Sequence, residues 1–202
     1  MYKTIIKPIL DFSTAFICLL LVAPIFILVT FILYFTNNGQ PFFFQLRPGK
    51  NEKVFKIIKF KTMNDMKDSS ENLLPDAQRL TKVGSFVRKT SIDEIPQLLN
   101  ILKGDMSFIG PRPLLIKYLP YFYEEERIRH TIKPGITGLA QINGRNTLRW
   151  DERLAYDIEY VKTQSFIVDL NILYKTFLKV LKSENIVVDP ESVMKNLDDE
   201  RR

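Results

Sequence analysis

An apolar run near the N-terminus constrains the fold of this chain more than any other feature. Residues 15–35 read AFICLLLVAPIFILVTFILYF, and no charged residue occurs between Asp11 and Arg47. A helix of this length is about 30 Å long, which matches the hydrocarbon thickness of a bilayer. The run is too long for the apolar region of a typical signal peptide, and no small-x-small cleavage site follows it, so we expect it to be retained. It predicts a membrane helix, with a fully buried helix of a soluble domain as the alternative.

Pro24 lies near the middle of this run. Proline removes a backbone donor and clashes with the preceding turn, so the helix is predicted to break or kink there. Lys3 and Lys7 precede the run, and four basic residues follow it: Arg47, Lys50, Lys53 and Lys56. Because both flanks are basic, the positive-inside rule gives no clear direction. A re-entrant helix broken at Pro24, with both ends on the cytoplasmic face, satisfies this pattern, and a spanning helix stays open as the alternative.

The remainder of the 202-residue chain is long enough for one domain with a sizeable core. Segments 42–46 and 53–63 are rich in β-forming residues and flank a turn-like Arg-Pro-Gly-Lys sequence, so they predict a short hairpin. Helical patterns follow near 76–89, 93–102, 114–129 and 151–163. The sequence therefore predicts a mainly α fold with a short β-hairpin, divided into residues 1–36, 37–185 and 186–202.

Two segments near the C-terminus have contrasting compositions. Residues 166–182 read FIVDLNILYKTFLKVLK, an amphipathic pattern typical of a helix that lies in a membrane interface. Packing of this helix against the domain core is an equal alternative. The tail, 186–202, is charged and poor in apolar residues at its end, so we expect it to be weakly ordered.

Charge and the rarer residue types narrow the classes of function. The formal net charge of +6 favours anionic partners, which include nucleic acid, anionic lipid and phosphorylated metabolites. Cys18 is the single cysteine, so an intramolecular disulfide and a cysteine-based metal site are excluded, and we interpret it as small apolar filler. His130 is the single histidine, which excludes histidine-rich zinc sites, and we interpret it as a surface residue.

Adjacent carboxylates at Asp93 and Glu94 follow two cations in the segment RKTSIDEIP, residues 88–96. One interpretation is structural, because Ser91 and Glu94 match a capping box and Asp93 is itself a good N-cap residue. The other interpretation is chemical. Consecutive helical side chains point about 100° apart, so one carboxylate could attack or bind a metal while its neighbour faces a second substrate.

Two further segments carry candidate binding residues. Prolines on both sides of Arg112 stiffen the backbone, and its guanidinium offers a bidentate fork for phosphate. Lys133 and Arg145 bracket the glycine-containing loop KPGITGLAQINGR, although each segment alone is also compatible with an ordinary surface loop. The chain contains no GxxxxGK[ST], no GxGxxG and no Asp-x-Asp motif, so a conventional NTPase or Rossmann enzyme is not expected.

Together these segments resemble the bacterial sugar transferase family, the small monotopic phosphoglycosyl transferases. The resemblance rests on PFFFQLRPGKNEKVFKIIKFKTM, RKTSIDEIPQLLNILKGDMSFIGPRPL and IKPGITGLAQINGR, which occur in the order typical of the family. It extends over nearly the whole chain, to about residue 182. Within the family, the sequence looks closest to members that load N,N'-diacetylbacillosamine phosphate onto undecaprenyl phosphate in protein glycosylation.

The resemblance implies a specific reaction and location. The enzyme would transfer a sugar 1-phosphate from a UDP-sugar to polyprenyl (undecaprenyl) phosphate and release UMP, with 37–185 as the catalytic domain. Asp93 would be the nucleophile and a ligand of Mg²⁺, and Glu94 would assist. Arg88, Arg112 and Arg145 would contact the substrate.

The compact domain would lie on the cytoplasmic face of the bacterial inner membrane, with amphipathic helices in the lipid interface. The number of subunits stays open, and nucleic acid is not expected as a partner. The alternative functions are a membrane-anchored module that binds nucleic acid through its basic surface, and a purely structural membrane protein.

Overall fold

The computed structural model describes residues 1–144, 148–182 and 195–201, which fold into a mainly helical domain with two small sheets. The helices are α1 (Lys7–Thr36), α2 (Asp76–Arg79), α3 (Lys82–Lys89), α4 (Gln97–Leu102), α5 (Leu139–Asn143), α6 (Trp150–Thr163), α7 (Phe166–Lys182) and α8 (Leu197–Glu200). The strands are β1 (Phe42–Pro48), β2 (Val54–Phe60), β3 (Ser107–Ile109) and β4 (Gly135–Thr137). The prediction of a mainly α fold with a short hairpin is confirmed.

Helix α1 continues through Pro24, which lies inside the helix rather than between two helices. Proline removes only its own N–H from the helical ladder, so the residues on both sides of Pro24 can keep a helical backbone. A π-helical turn, Tyr2–Ile6, precedes α1. By length and composition, this helical segment could cross a membrane.

One face of α1 packs against the domain along most of the helix. Near its first half, the fully buried Ala15 packs with Ile101 and Met106, and Cys18 is half-buried against the same cluster, which confirms its interpretation as apolar filler. Near its end, Leu33 packs with Phe60 and other apolar side chains. The opposite face of α1 is apolar and exposed, at residues that include Phe12, Phe16, Ile17, Leu20, Leu21, Ile25, Ile27, Leu28, Phe31 and Phe35.

Polar contacts hold both ends of α1 to the domain. At the start, the Lys7 Nζ atom lies 2.8 Å from the Asp169 Oδ2 atom of α7, and both side chains are buried. The Tyr160 hydroxyl donates to the other oxygen of Asp169 at 2.6 Å. Just past the end of α1, the Asn37 side-chain amide donates to the Lys61 carbonyl at 2.6 Å. Both ends of this apolar helix therefore lie against the same domain.

Strands β1 and β2 form the predicted antiparallel hairpin, with Phe42 opposite Phe60 and Pro48 opposite Val54. Its turn passes through the short 3₁₀ helix Lys50–Glu52. The free edge of β2 is bonded by Asn100 of α4, which is fully buried. Its Oδ1 accepts from the Ile58 N–H at 3.0 Å, and its Nδ2 donates to the Lys56 carbonyl at 2.8 Å.

Strands β3 and β4 form a short parallel pair in segments for which no strand is predicted from the sequence. A methyl group added to Gly135 would lie 2.1 Å from the Gly110 nitrogen. The two backbone segments are therefore so close that only glycine fits at position 135. This strand pair fixes the positions of the two segments that follow it, the loop that contains Arg112 after β3 and the helix α5 after β4.

The predicted helices differ from the observed ones in detail. Segment 76–89 is divided at Leu80, which is extended, and segment 114–129 consists of two 3₁₀ helices, Ile116–Tyr121 and Glu124–Thr131. Segment 151–163 is confirmed by α6. The interpretation of His130 as a surface residue is wrong, because it is 5% exposed and packs edge-on against Phe122. Burial and two neighbouring arginines lower the pKa of His130 to about 3.

Helix α7 is amphipathic, as predicted. Asp169 and Ile172 point into the domain and are buried. Its remaining faces expose apolar side chains, at Phe166, Ile167, Leu170, Leu173, Tyr174 and Phe177.

Weak order was predicted throughout the tail, 186–202. Residues 195–201 instead contain α8 and pack on the domain. Leu197 is fully buried. Arg201 forms a bidentate ion pair with Glu126, in which its two terminal nitrogens donate to the two carboxylate oxygens at 2.7 and 2.8 Å. Residues 186–194 and Arg202 lie outside the described residues.

Candidate active site

A cavity of about 1080 Å³ lies between β2, the 3₁₀ turn Ile92–Glu94, the Pro-Arg-Pro loop and α5. Four predicted site residues line it together: Arg88, Asp93, Glu94 and Arg112. The fifth, Arg145, lies outside the described residues. Residues far apart in sequence therefore meet around the two carboxylates.

A left-handed residue positions the carboxylate pair. Ser91 has φ of 56°. This left-handed conformation changes the direction of the backbone after α3, and the 3₁₀ turn Ile92–Glu94 follows directly. The Ser91 side chain makes no capping hydrogen bond, and α4 begins only after Pro96. The capping interpretations of Ser91 and of Asp93 are therefore wrong. The carboxylates face the cavity and its cations instead.

Two cations hold Glu94. Its Oε1 atom lies 2.7 Å from the Lys59 Nζ atom and 2.7 Å from the Arg112 Nη2 atom. The same Lys59 ammonium lies 3.5 Å from the Asp93 Oδ2 atom. Lys59 was not predicted as a site residue, because no local pattern in the hairpin segment distinguishes it from a solvent-facing lysine of a strand. Glu94 is thus paired tightly, and Asp93 is paired more loosely.

The two carboxylates have opposite pKa shifts. Burial raises the pKa of Asp93, and the nearby charge of Glu94 raises it further against the opposing effect of Lys59. Burial alone would raise the pKa of Glu94 too, but the charges of Arg112 and Lys59 outweigh it and hold that pKa well below its usual range. Carboxylates whose pKa values are driven apart are typical of groups with different roles in one site.

The two site arginines are held by specific contacts. The Arg88 Nε atom donates to the Thr62 hydroxyl at 2.8 Å. Gly84 lets α3 approach this point, because a Cβ there would lie 1.8 Å from the Thr62 carbonyl oxygen. The Arg112 carbonyl accepts from Arg129 at 2.7 Å, and Arg129 in turn pairs with the buried Asp157 at 2.9 Å.

The carboxylate pair fits a magnesium ion only when phosphate completes the coordination. Both cations engage the same oxygen of Glu94, whereas Asp93 makes one longer contact. In the described parts of the chain, no group of three or more His, Cys, Asp or Glu residues could form a cage for a metal. Mg²⁺ commonly binds through one or two carboxylates together with substrate phosphates, and Asp93 is compatible with that arrangement.

The sequence as a whole identifies the family. A family model described as bacterial sugar transferase matches residues 2–183, which include α1, the hairpin, the carboxylate pair and α7. The chain belongs to the bacterial sugar transferase family. The resemblance drawn from the three motifs is thereby confirmed, and so is the prediction that the protein is an enzyme that transfers sugar groups.

Characterised and uncharacterised sugar transferases resemble the chain. The uncharacterized sugar transferase EpsL of Bacillus subtilis (strain 168) is 52% identical over 183 residues, which cover 90% of each protein. The exopolysaccharide production protein ExoY of Sinorhizobium fredii is 36% identical, over 86% of this chain and 84% of the relative. The UDP-glucose:undecaprenyl-phosphate glucose-1-phosphate transferase of Escherichia coli (strain K12) is 36% identical, over 84% of this chain and 39% of the relative. The finer likeness to bacillosamine-transferring members is not confirmed by these relatives.

Proposed function

We propose that this sugar transferase moves a sugar 1-phosphate from a UDP-sugar to undecaprenyl phosphate, releases UMP and thereby starts glycan assembly on a lipid carrier. Family membership favours this enzyme over the nucleic-acid-binding and structural alternatives. The E. coli relative is named as a transferase of glucose 1-phosphate from UDP-glucose to undecaprenyl phosphate. The observation that carries the proposal is the unequal pairing of the two carboxylates in one basic cavity.

Asp93 is proposed as the nucleophile. Its carboxylate oxygen attacks the β-phosphorus of the UDP-sugar, an Asp–O–P bond forms, and the bond from phosphorus to the bridging oxygen breaks, so that UMP leaves with the electron pair. An oxygen of undecaprenyl phosphate then attacks the same phosphorus, the Asp–O–P bond breaks, and the carboxylate is regenerated. A raised pKa makes the ionised Asp93 a stronger nucleophile than an ordinary aspartate.

The other residues have supporting roles in this proposal. Lys59 and Arg112 keep Glu94 ionised, so that it can accept a hydrogen bond from a protonated oxygen of the incoming lipid phosphate and orient it. Arg88 and Arg112 contact phosphate oxygens, and Arg145 is proposed to join them. Mg²⁺ held by Asp93 and the substrate phosphates would act as a Lewis acid that masks negative charge at the reacting phosphorus.

The membrane path of α1 is proposed to be re-entrant. Both ends of α1 bond to the same domain, through Lys7–Asp169 and Asn37–Lys61. A spanning helix would place one end on the far side of the bilayer, about 30 Å away from the domain. The exposed apolar faces of α1 and α7 would then lie in one leaflet of the bacterial inner membrane, with the catalytic domain on the cytoplasmic face.

The decisive experiment offers a panel of UDP-sugars with undecaprenyl phosphate and Mg²⁺ and measures UMP release. We expect release with at least one donor, and a phosphosugar adduct on the Asp93 peptide when a labelled donor is supplied without acceptor. Asp93→Asn should abolish both signals, whereas Asp199→Asn, on the exposed face of α8, should retain them. Full transfer by a folded Asp93→Asn enzyme would disprove the covalent mechanism, and no release from any donor would count against the function.

A further inference from the structure

A second group of basic side chains lines the cavity beside the carboxylate pair. Among the described residues, seven basic side chains and four carboxylates line this cavity. Each of the four carboxylates already has a basic neighbour within salt-bridge distance. The described wall therefore carries a surplus of positive charge. Two of its arginines, Arg47 and Arg153, have no role in the mechanism above.

Both arginines line the same cavity as Arg112. Arg47 precedes Pro48, the last residue of β1, and Pro48 lines a small second cavity together with Arg112 and the two prolines that flank it. Arg153 lies one helical turn before Asp157 on α6, so the two side chains share a face of that helix. Asp157 binds Arg129, whose guanidinium holds the Arg112 carbonyl. Arg47 and Arg153 thus reach the cavity that Arg112 also lines from two different elements, β1 and α6.

The electrostatics around Arg47 favour an anion. Across residues 1–144, 148–182 and 195–201, no carboxylate lies within salt-bridge distance of Arg47, and its buried Nε atom has no hydrogen-bond partner. Its Nη2 atom donates to the neutral side chain of Gln45. Burial and then the charge of Arg112 lower the pKa of Arg47 to about 10, and the same two causes lower that of Arg153 to about 10. Mutual repulsion among these half-buried guanidinium groups is relieved when a phosphate binds between them.

We propose that Arg47, Arg112 and Arg153 form a phosphate-binding subsite in the cavity wall, separate from the position of the phosphorus that Asp93 attacks. The inference rests on the proposed function, because that reaction brings more than one phosphate to a single carboxylate. The donor carries a second phosphate, which leaves as UMP, and the acceptor carries a phosphate of its own. The bidentate geometry of guanidinium suits a phosphate from either source.

The test measures binding rather than turnover. Full-length protein in lipid nanodiscs is titrated calorimetrically with UMP and, separately, assayed for binding of undecaprenyl phosphate. The proteins compared are the unchanged enzyme, Arg47→Gln and Arg153→Gln. Arg127→Gln is the matched control, because Arg127 pairs with Glu52 at 2.8 Å and does not line the cavity. Arg47→Lys keeps the charge and removes the fork.

We expect each glutamine variant to lose about ten- to hundredfold in affinity for one ligand, the range for hydrogen bonds to charged groups, and the control to lose less than twofold. Loss for UMP assigns the subsite to the nucleotide phosphate, and loss for undecaprenyl phosphate alone assigns it to the lipid. Arg47→Lys should bind with intermediate affinity, which also reports a folded cavity. Affinities for both ligands within twofold of the unchanged enzyme, or losses equal to that of Arg127→Gln, would overturn the subsite.

The binding result is independent of the chemical step. The same titrations in the Asp93→Asn background, in which no adduct can form, should show the same losses for Arg47→Gln. If the arginine variants lose affinity while no UDP-sugar gives UMP release, the subsite stands and the proposed reaction fails.

Discussion

The buried ion pair between Arg129 and Asp157 gives a prediction whose magnitude follows from the structure. Their side chains are 2% and 3% exposed, and the nearest nitrogen and oxygen atoms lie 2.9 Å apart. Burial raises the pKa of Asp157 in spite of Arg129, so the attraction offsets only part of the desolvation cost. Removing one partner nevertheless leaves a buried charge unpaired, which costs about 3–5 kcal/mol. Asp157→Asn should therefore lose a large part of a total stability of about 5–15 kcal/mol.

The same helix supplies a matched control. Asp151 of α6 also pairs with an arginine, Arg201, at 2.6 Å, but its side chain is 67% exposed. An exposed pair contributes less than about 1 kcal/mol, so Asp151→Asn should change stability little. In thermal unfolding of the full-length protein, a chain of this size shifts by about 2–4 °C per kcal/mol. Asp157→Asn should then unfold roughly 6–20 °C below the unchanged protein.

The pair also supports the active site, because Arg129 donates to the Arg112 carbonyl. At a temperature where the variant is still folded, Asp157→Asn should reduce transfer activity, since Arg112 loses its support beside Glu94. Asp151→Asn should not. The reasoning is refuted if Asp157→Asn destabilises the protein no more than Asp151→Asn does.

Three further predictions concern the tail, the carboxylate pair and a close helix contact. Leu197→Ala should lower the free energy of unfolding by about 2–5 kcal/mol, because Leu197 is fully buried; an unchanged unfolding temperature would show that α8 does not dock. Transfer activity should fall with decreasing pH as Asp93 takes up a proton, at a pH above the usual aspartate range. Lys59→Met removes a charge that lowers the pKa of Asp93, so the acid limb of kcat/KM should move to higher pH, and a shift to lower pH would contradict the assignment. Gly84→Ala should cost about 1–3 kcal/mol and reduce activity, because the added methyl group meets the Thr62 backbone; unfolding and activity equal to those of the unchanged protein would exclude the close contact.

The features that could be predicted from the sequence are those that depend on local residue patterns. The apolar run predicted α1, segments rich in β-formers around an Arg-Pro-Gly-Lys turn predicted the hairpin, and the amphipathic pattern predicted α7. The three quoted motifs predicted the family, which is confirmed, and four of the residues that meet in the cavity. Asp93 and Glu94 could be assigned to the active site only through the resemblance, because helix capping explains the same two acidic residues. The left-handed conformation of Ser91, which removes that explanation, is not readable from sequence.

The missed features depend on contacts between distant segments. Lys59 looks like any solvent-facing lysine of a strand until β2 packs beside the turn that carries Glu94, 35 residues later in the chain. His130 lies in a charged segment, so its burial against Phe122 had no local signal. The docking of α8 depends on the burial of Leu197 and on the ion pair of Arg201 with Glu126, in a tail that is rich in charged residues. The parallel pairing of β3 and β4 depends on backbone approach at glycines rather than on side-chain periodicity.

The positions of the apolar surfaces indicate how a lipid substrate could reach the carboxylates. Phe43 and Phe44 of β1 line the cavity, and their side chains are also partly exposed to the outside. Val180 of α7 lines the cavity as well. The ring of Phe26 in α1 lies 5.8 Å from that of Phe42, so β1 adjoins α1 directly. On the proposed function, a polyprenyl tail must stay in lipid while its phosphate enters a basic cavity. A cavity bounded by the apolar elements β1 and α7 meets both requirements, because the charged phosphate can advance to Asp93 without drawing the tail into water.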